Sequence, residues 1–121
     1  MDSRMFALTL VGCTVAGQAV AQEDGEMAFN NSCRTCHTMV EGDNRQGPSL
    51  AGVVGRTAGT LPDYNYSESM EQSDIVWDET NLDKFIANPD EVVSGNTMKP
   101  YAGITDAALR KTIIEFMKTG G

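Results

Sequence analysis

Histidine is almost missing from this 121-residue chain, in which His37 is the only one. A catalytic site that works through a pair of imidazoles is thereby excluded. Cysteine is scarce as well, with three residues at positions 13, 33 and 36. A structural zinc site takes about four ligands, commonly as two separated pairs, and the second pair is absent. Aromatic residues make up 7%, which is little for the core of a small domain and leaves room for an enclosed apolar group. Nine basic residues stand against seventeen acidic ones, a formal net charge of −8, which argues against nucleic acid as a partner. No apolar run reaches the roughly 20 residues of a membrane span.

The length fits one domain with a short leader. Arg4 supplies a positive element, the stretch 5–16 is mostly apolar, and Ala19-Val20-Ala21 places small residues before Gln22. This is the pattern of an export signal cleaved after Ala21, giving a signal peptide over residues 1–21 and one domain over 22–121. Leu10-Val11-Gly12-Cys13 also fits a lipoprotein signal that would tether the protein through Cys13, although few residues precede that cysteine. Cleavage after Ala21 removes Asp2 and Arg4 together, so the net charge of the mature chain stays at −8.

After cleavage only Cys33 and Cys36 remain, in Cys33-Arg34-Thr35-Cys36-His37. This C-x-x-C-H run is the signature of covalent haem attachment: two thiols bond the haem vinyl groups and the adjoining histidine offers a nitrogen to iron. The competing reading, a thioredoxin-like dithiol, needs a buried strand before the pair. Residues 25–32 look instead like a short helix after a loop. With haem bound, His37 is the one possible proximal histidine. A sixth ligand of methionine type leaves Met70, Met98 and Met117 after those in the leader or too near the motif are set aside. Met117 lies in an amphipathic helical stretch where methionine usually packs a core. Met98 sits in a Gly- and Pro-containing loop over 93–100, which suits an irregular path across a haem face, and Met70 stays open beside it.

The chain resembles the class I c-type cytochromes, the family of mitochondrial cytochrome c and its bacterial periplasmic relatives. The likeness rests on Cys33-x-x-Cys36-His37, Gly25 with Phe29, Gly47-Pro48-Ser49-Leu50, Gly55-Arg56-Thr57-Ala58-Gly59, Tyr64-Asn65-Tyr66, Ile75-Val76-Trp77, Asn88-Pro89 and the Met98 loop. It implies an all-α fold of three to five short helices, with long loops wrapped around one covalent haem c. It also implies His37 and Met98 as axial iron ligands, with the Pro48 carbonyl orienting His37. Arg56, Tyr66 and Trp77 match positions that hydrogen-bond a haem propionate. Phe85 stands where many relatives carry a tyrosine whose hydroxyl approaches the methionine sulfur, and Met70 and Asn96 replace an asparagine and a threonine. A drier, less hydrogen-bonded sulfur side of the pocket follows as an expectation.

Helices are predicted from a cap at Asp24 through the cysteines, over 81–87 from Thr80 with Asp83 as a weak capping box, and from Thr105 or Asp106 to the C-terminus. In the last, Leu109, Ile113, Phe116 and Met117 form the apolar face while Arg110, Lys111 and Lys118 point outward. Residues 39–73 read mostly as loop. The implied function is single-electron transfer without a catalytic residue. The partners implied are a quinol:cytochrome c oxidoreductase-type donor, a terminal oxidase, a reaction centre, or a periplasmic dehydrogenase or reductase. The alternative is a peroxidase or gas sensor with a labile Met98. Arg34, Arg45 and Lys99 are candidates for a small basic rim. The expected form is a monomer in the bacterial periplasm.

Overall fold

The computed structural model describes residues 18–120 and Gly12. Most of the leader assignment, including Cys13, therefore lies outside the described residues. Five helices follow in order: α1 (Gln18–Ser32), α2 (Glu68–Glu71), α3 (Glu79–Ala87), α4 (Pro89–Val92) and α5 (Ala107–Lys118). The fold is the expected all-α one, and α1, α3 and α5 form its packed layer.

Helix α1 begins upstream of the expected cap, so Asp24 is an exposed residue inside it. Ala and Gln at its start are good helix formers and carry the helix across residues 18–23 without a break. It also ends sooner than expected: Ser32 is its last residue, and the cysteines occupy a turn closed by Cys36 N–H donating to the Cys33 carbonyl at 3.1 Å. At its middle, α1 crosses α5 through Gly25. A β-carbon there would stand 3.1 Å from Cβ of Phe116, so only glycine lets the two backbones approach this closely. Next to the crossing, the rings of Phe29 and Phe116 pack with centroids 5.3 Å apart.

Helix α3 is capped by Asp78, whose carboxylate accepts from Asn81 N–H at 2.7 Å, rather than beginning at Thr80. That cap satisfies an otherwise orphaned donor of the first turn. Asp83 plays no part in capping; it binds Arg110 at 2.7 Å. Arg110 is consequently folded inward, with its side chain 13% exposed, and donates also to the carbonyls of Ile104 and Thr105. The outward placement read from periodicity fails for Arg110 because the half-exposed Asp83 carboxylate and the carbonyls of Ile104 and Thr105 draw it in; Lys111 and Lys118 are exposed as expected. Helix α5 starts on its Asp106 cap and buries Ile113, Ile114, Phe116 and Met117.

Between residues 38 and 67 the chain is irregular, as its composition suggests. Its one paired stretch is a β-bridge of Thr57 with Val76, flanked by Gly55 N–H to the Trp77 carbonyl at 2.6 Å and Trp77 N–H to the Arg56 carbonyl at 2.9 Å. This brings Arg56 and Trp77 together. The helical layer and the loops face each other across a cavity.

Candidate functional site

The cavity has a volume of about 460 Å³, within the roughly 300–1,000 Å³ range of sites that enclose a small molecule. Its lining is mostly apolar, so an apolar group held inside would bury surface that otherwise faces water.

His37 is buried, and its Nδ1 lies 2.8 Å from the Pro48 carbonyl. The carbonyl can only accept, so Nδ1 carries the proton and Nε2 is left with a lone pair, the state in which imidazole binds metals. Burial lowers the pKa of His37, the Pro48 bond partly opposes this, and Arg56 lowers it further. The neutral ring is therefore favoured. Gly47 lies against that ring so tightly that a β-carbon would overlap it. The loop is tied down by main-chain bonds: Gly47 N–H to the Cys36 carbonyl at 2.7 Å and Leu50 N–H to that of Thr38 at 2.8 Å.

Cys33 and Cys36 line the same cavity as free thiols. Burial, together with Cys36 nearby, pushes the Cys33 thiol up to about 11. A redox-active dithiol works through a lowered pKa, so the thioredoxin-like reading is contradicted by chemistry as well as by the absence of a preceding strand. Among the described residues no group of three or more His, Cys, Asp or Glu side chains is placed to hold a metal ion.

Three of the methionines, Met70, Met98 and Met117, line the cavity. They are the same three left open by the sequence. Met27 is 61% exposed on the outside of α1. Met117 is buried in the packed face of α5 and Met70 belongs to α2, whereas Met98 stands on an irregular loop, its backbone N–H donating to Asn96 Oδ1 at 3.0 Å.

Arg56 is half-buried and donates to the carbonyls of Ala51 at 3.2 Å and Ser49 at 3.0 Å. Its ion-pair partners are nil among the described residues, and burial lowers its pKa. A guanidinium held beside a cavity by neutral groups alone suits an anionic substituent, such as a propionate. Tyr66 accepts from Leu61 N–H at 3.3 Å and keeps its own proton for donation. Trp77 is buried against Phe85 at a centroid distance of 5.0 Å, and both rings line the cavity. Among the described residues no carboxylate lines it, although seventeen acidic residues are present in the chain.

Several lining residues escaped the sequence reading. Tyr64, whose hydroxyl donates to the Gln46 carbonyl at 2.7 Å, closes one edge. Tyr101 donates to the Ile86 carbonyl at 2.6 Å, and burial pushes its pKa up to about 12. An aromatic residue directly after the Met98 loop was the available signal for Tyr101. The supposed basic rim is largely neutralised: Arg45 pairs with Asp43 at 3.2 Å and Lys99 with Asp90 at 2.8 Å.

A family model for cytochrome c matches residues 22–120. The chain is 42% identical over 97 residues to cytochrome c of Euglena viridis, covering 80% of this chain and 94% of that protein. It is 44% identical over 96 residues to cytochrome c2 of Rhodopila globiformis, covering 79% and 90%. Among solved structures, cytochrome cH from Methylobacterium extorquens superposes with a TM-score of 0.74 at 35% identity, covering 81% of this chain and 97% of that one. A cavity with a neutral histidine, two thiols and a lone guanidinium is what one covalent haem requires, and the chain belongs to the cytochrome c family, as a class I c-type cytochrome that carries a single haem c and transfers electrons.

Proposed function

We propose that Cys33 and Cys36 form the thioether bonds to the haem and that His37 and Met98 are its axial iron ligands. The observation that carries this is the gathering of all four around one cavity, with the imidazole oriented by Pro48. The iron supplies the one-electron couple, and His/Met ligation favours a raised potential. The chain's own work is positional. Pro48 and Gly47 fix the His37 ring, Arg56, Tyr66 and Trp77 face the propionates, and Phe85 seals the pocket against water with an apolar edge. Saturated ligation leaves no site for a substrate. A dedicated peroxidase needs an acid–base group beside open iron, and among the described residues no Asp or Glu lines the cavity; a gas sensor needs instead a labile Met98.

Residues 1–21 act as a cleaved leader in this reading, and the mature domain, 22–121, works in the periplasm; a family match that begins at residue 22 supports the boundary. Among the described residues no helix is long and apolar enough to cross a membrane. Partners are redox complexes: a quinol:cytochrome c oxidoreductase-type donor, and a terminal oxidase, reaction centre or periplasmic oxidoreductase. With Lys99 and Arg45 each engaged by an aspartate, docking does not rely on an exposed ring of lysines. The test is an optical spectrum of the exported protein in both redox states, with and without carbon monoxide. A near-infrared sulfur-to-iron band in the oxidised form, lost in Met98→Ala, together with a reduced spectrum indifferent to carbon monoxide, is the expected result. A missing band with ready carbon monoxide binding would sink the Met98 assignment.

A further inference from the structure

The loop bearing Met98 has an unusual attachment. From residue 94 to residue 100 its main-chain hydrogen bonds are local, Asn96 N–H to the Val93 carbonyl at 3.2 Å and Lys99 N–H to the Thr97 carbonyl at 2.8 Å. Among the described residues the first main-chain bond to another helix comes at Ile104, whose N–H donates to the Ile86 carbonyl at 3.1 Å. Besides the apolar packing of Met98 and Tyr101 and the Tyr101 hydroxyl bond to Ile86 just beyond the loop, the polar side-chain contacts of residues 94–100 converge on one carboxylate.

Asp90, in the first turn of α4, accepts from Asn96 Nδ2 at 2.9 Å and from Lys99 Nζ at 2.9 Å and 2.8 Å through its two oxygens. Asn96 is 5% exposed and uses every polar hydrogen and its oxygen: Nδ2 also donates to the Val93 carbonyl at 2.9 Å, and Oδ1 accepts Met98 N–H at 3.0 Å. Asp90 thus grips the loop on both sides of Met98, through residue 96 before it and residue 99 after it. The Lys99 arm is exposed and weak on its own. Asn96 itself is buried while Asp90 is exposed. Removing Asn96 therefore strands the Met98 N–H and takes a donor from the Val93 carbonyl, whereas removing Asp90 strands only one hydrogen of the Asn96 amide.

We propose that Asp90 and Asn96 are positioning residues for the sixth iron ligand, a clamp that keeps the Met98 sulfur in the pocket and the iron closed to outside molecules. The proposal rests on Met98 ligation as argued above. Asn96, which replaces a threonine found in many relatives, is thereby given a task in the backbone of the ligand loop rather than in a polar network around the sulfur.

The experiment is stopped-flow mixing of the oxidised holoprotein with imidazole, which takes the sixth position only after the methionine has left. Asn96→Ala should speed entry roughly tenfold, Asp90→Ala roughly threefold, and Lys99→Gln less than either, following the usual worth of buried and exposed polar contacts. Asp83→Ala breaks the pair with Arg110 away from this loop; it should lower the melting temperature and leave imidazole entry unchanged. If the wild-type protein shows the near-infrared band but Asn96→Ala and Asp90→Ala admit imidazole at the wild-type rate, the clamp is refuted while Met98 ligation stands. If the wild-type protein lacks the band, both fall together. Acceleration in Asp83→Ala equal to that in Asp90→Ala would also overturn the clamp, since general loosening would then explain both.

Discussion

The His37 loop and the Met98 loop each bring a side chain to the same cavity, and they are secured by different means. The first is pinned by main-chain bonds to its own neighbours and by a glycine, Gly47, over which the imidazole lies. The second hangs from the side chains of Asn96 and Lys99 on a single carboxylate. Main-chain bonds persist through most substitutions, whereas a side-chain anchor is lost with one. The difference teaches that the histidine side, with main-chain bonds beside its side-chain anchors, should tolerate substitution better than the methionine side, whose polar anchors meet on one residue.

That comparison can be broken or sharpened by substitution. The largest effect belongs to the helical floor under both loops: Ile113, fully buried in α5, should lose about 4 kcal/mol as Ile113→Ala. Denaturant titration would show it, and imidazole entry should stay at the wild-type rate once the protein is folded. Gly47→Ala should destabilise by about 3 kcal/mol, because a β-carbon overlaps the His37 ring and either the ring or the loop must give. A wild-type unfolding midpoint in that variant would contradict the rigid histidine side. Removing the α3 cap by Asp78→Ala should cost about 1 kcal/mol with no change in the near-infrared band.

Smaller still, Phe85→Tyr would add a hydroxyl to the cavity that Phe85 and Met98 both line, and under the proposed ligation that hydroxyl would donate to the Met98 sulfur. Drawing electron density from the sulfur favours reduced iron, so the potential should rise by about 20–40 mV, equivalent to about 0.5–1 kcal/mol for one electron. A redox titration that finds no change would show that Phe85 does not govern the sulfur. The smallest effect is expected on the rim: Arg45→Gln breaks an exposed pair with Asp43 and should leave the unfolding midpoint unchanged in a denaturant titration.

Much of the architecture was legible. Asp106 before an apolar period placed α5, and Pro89 after Asn88 separated α3 from α4, since proline lacks the N–H that a continuing helix would need. Misplaced starts came from local choices among similar residues: Asp78 lies two positions before Thr80, and both can cap. Arg110 was misjudged because its partner, Asp83, is 27 residues away, beyond any periodic pattern. The lining residues Tyr64 and Tyr101 were missed for the same reason, each hydrogen-bonded to a carbonyl distant in sequence.

By itself the sequence determined the chemistry and the class. A lone histidine directly after a C-x-x-C pair, with few methionines able to reach the far ligand position, leaves little but a covalent haem, because ligand type and short spacing are written in consecutive residues. Only the tertiary structure decided how those groups are held. Which nitrogen of His37 is protonated depends on Pro48. Arg56 is left without an anion by the burial around it, and the Met98 loop hangs on Asp90. Each of these follows from contacts between segments that become neighbours only when the chain folds around its cavity.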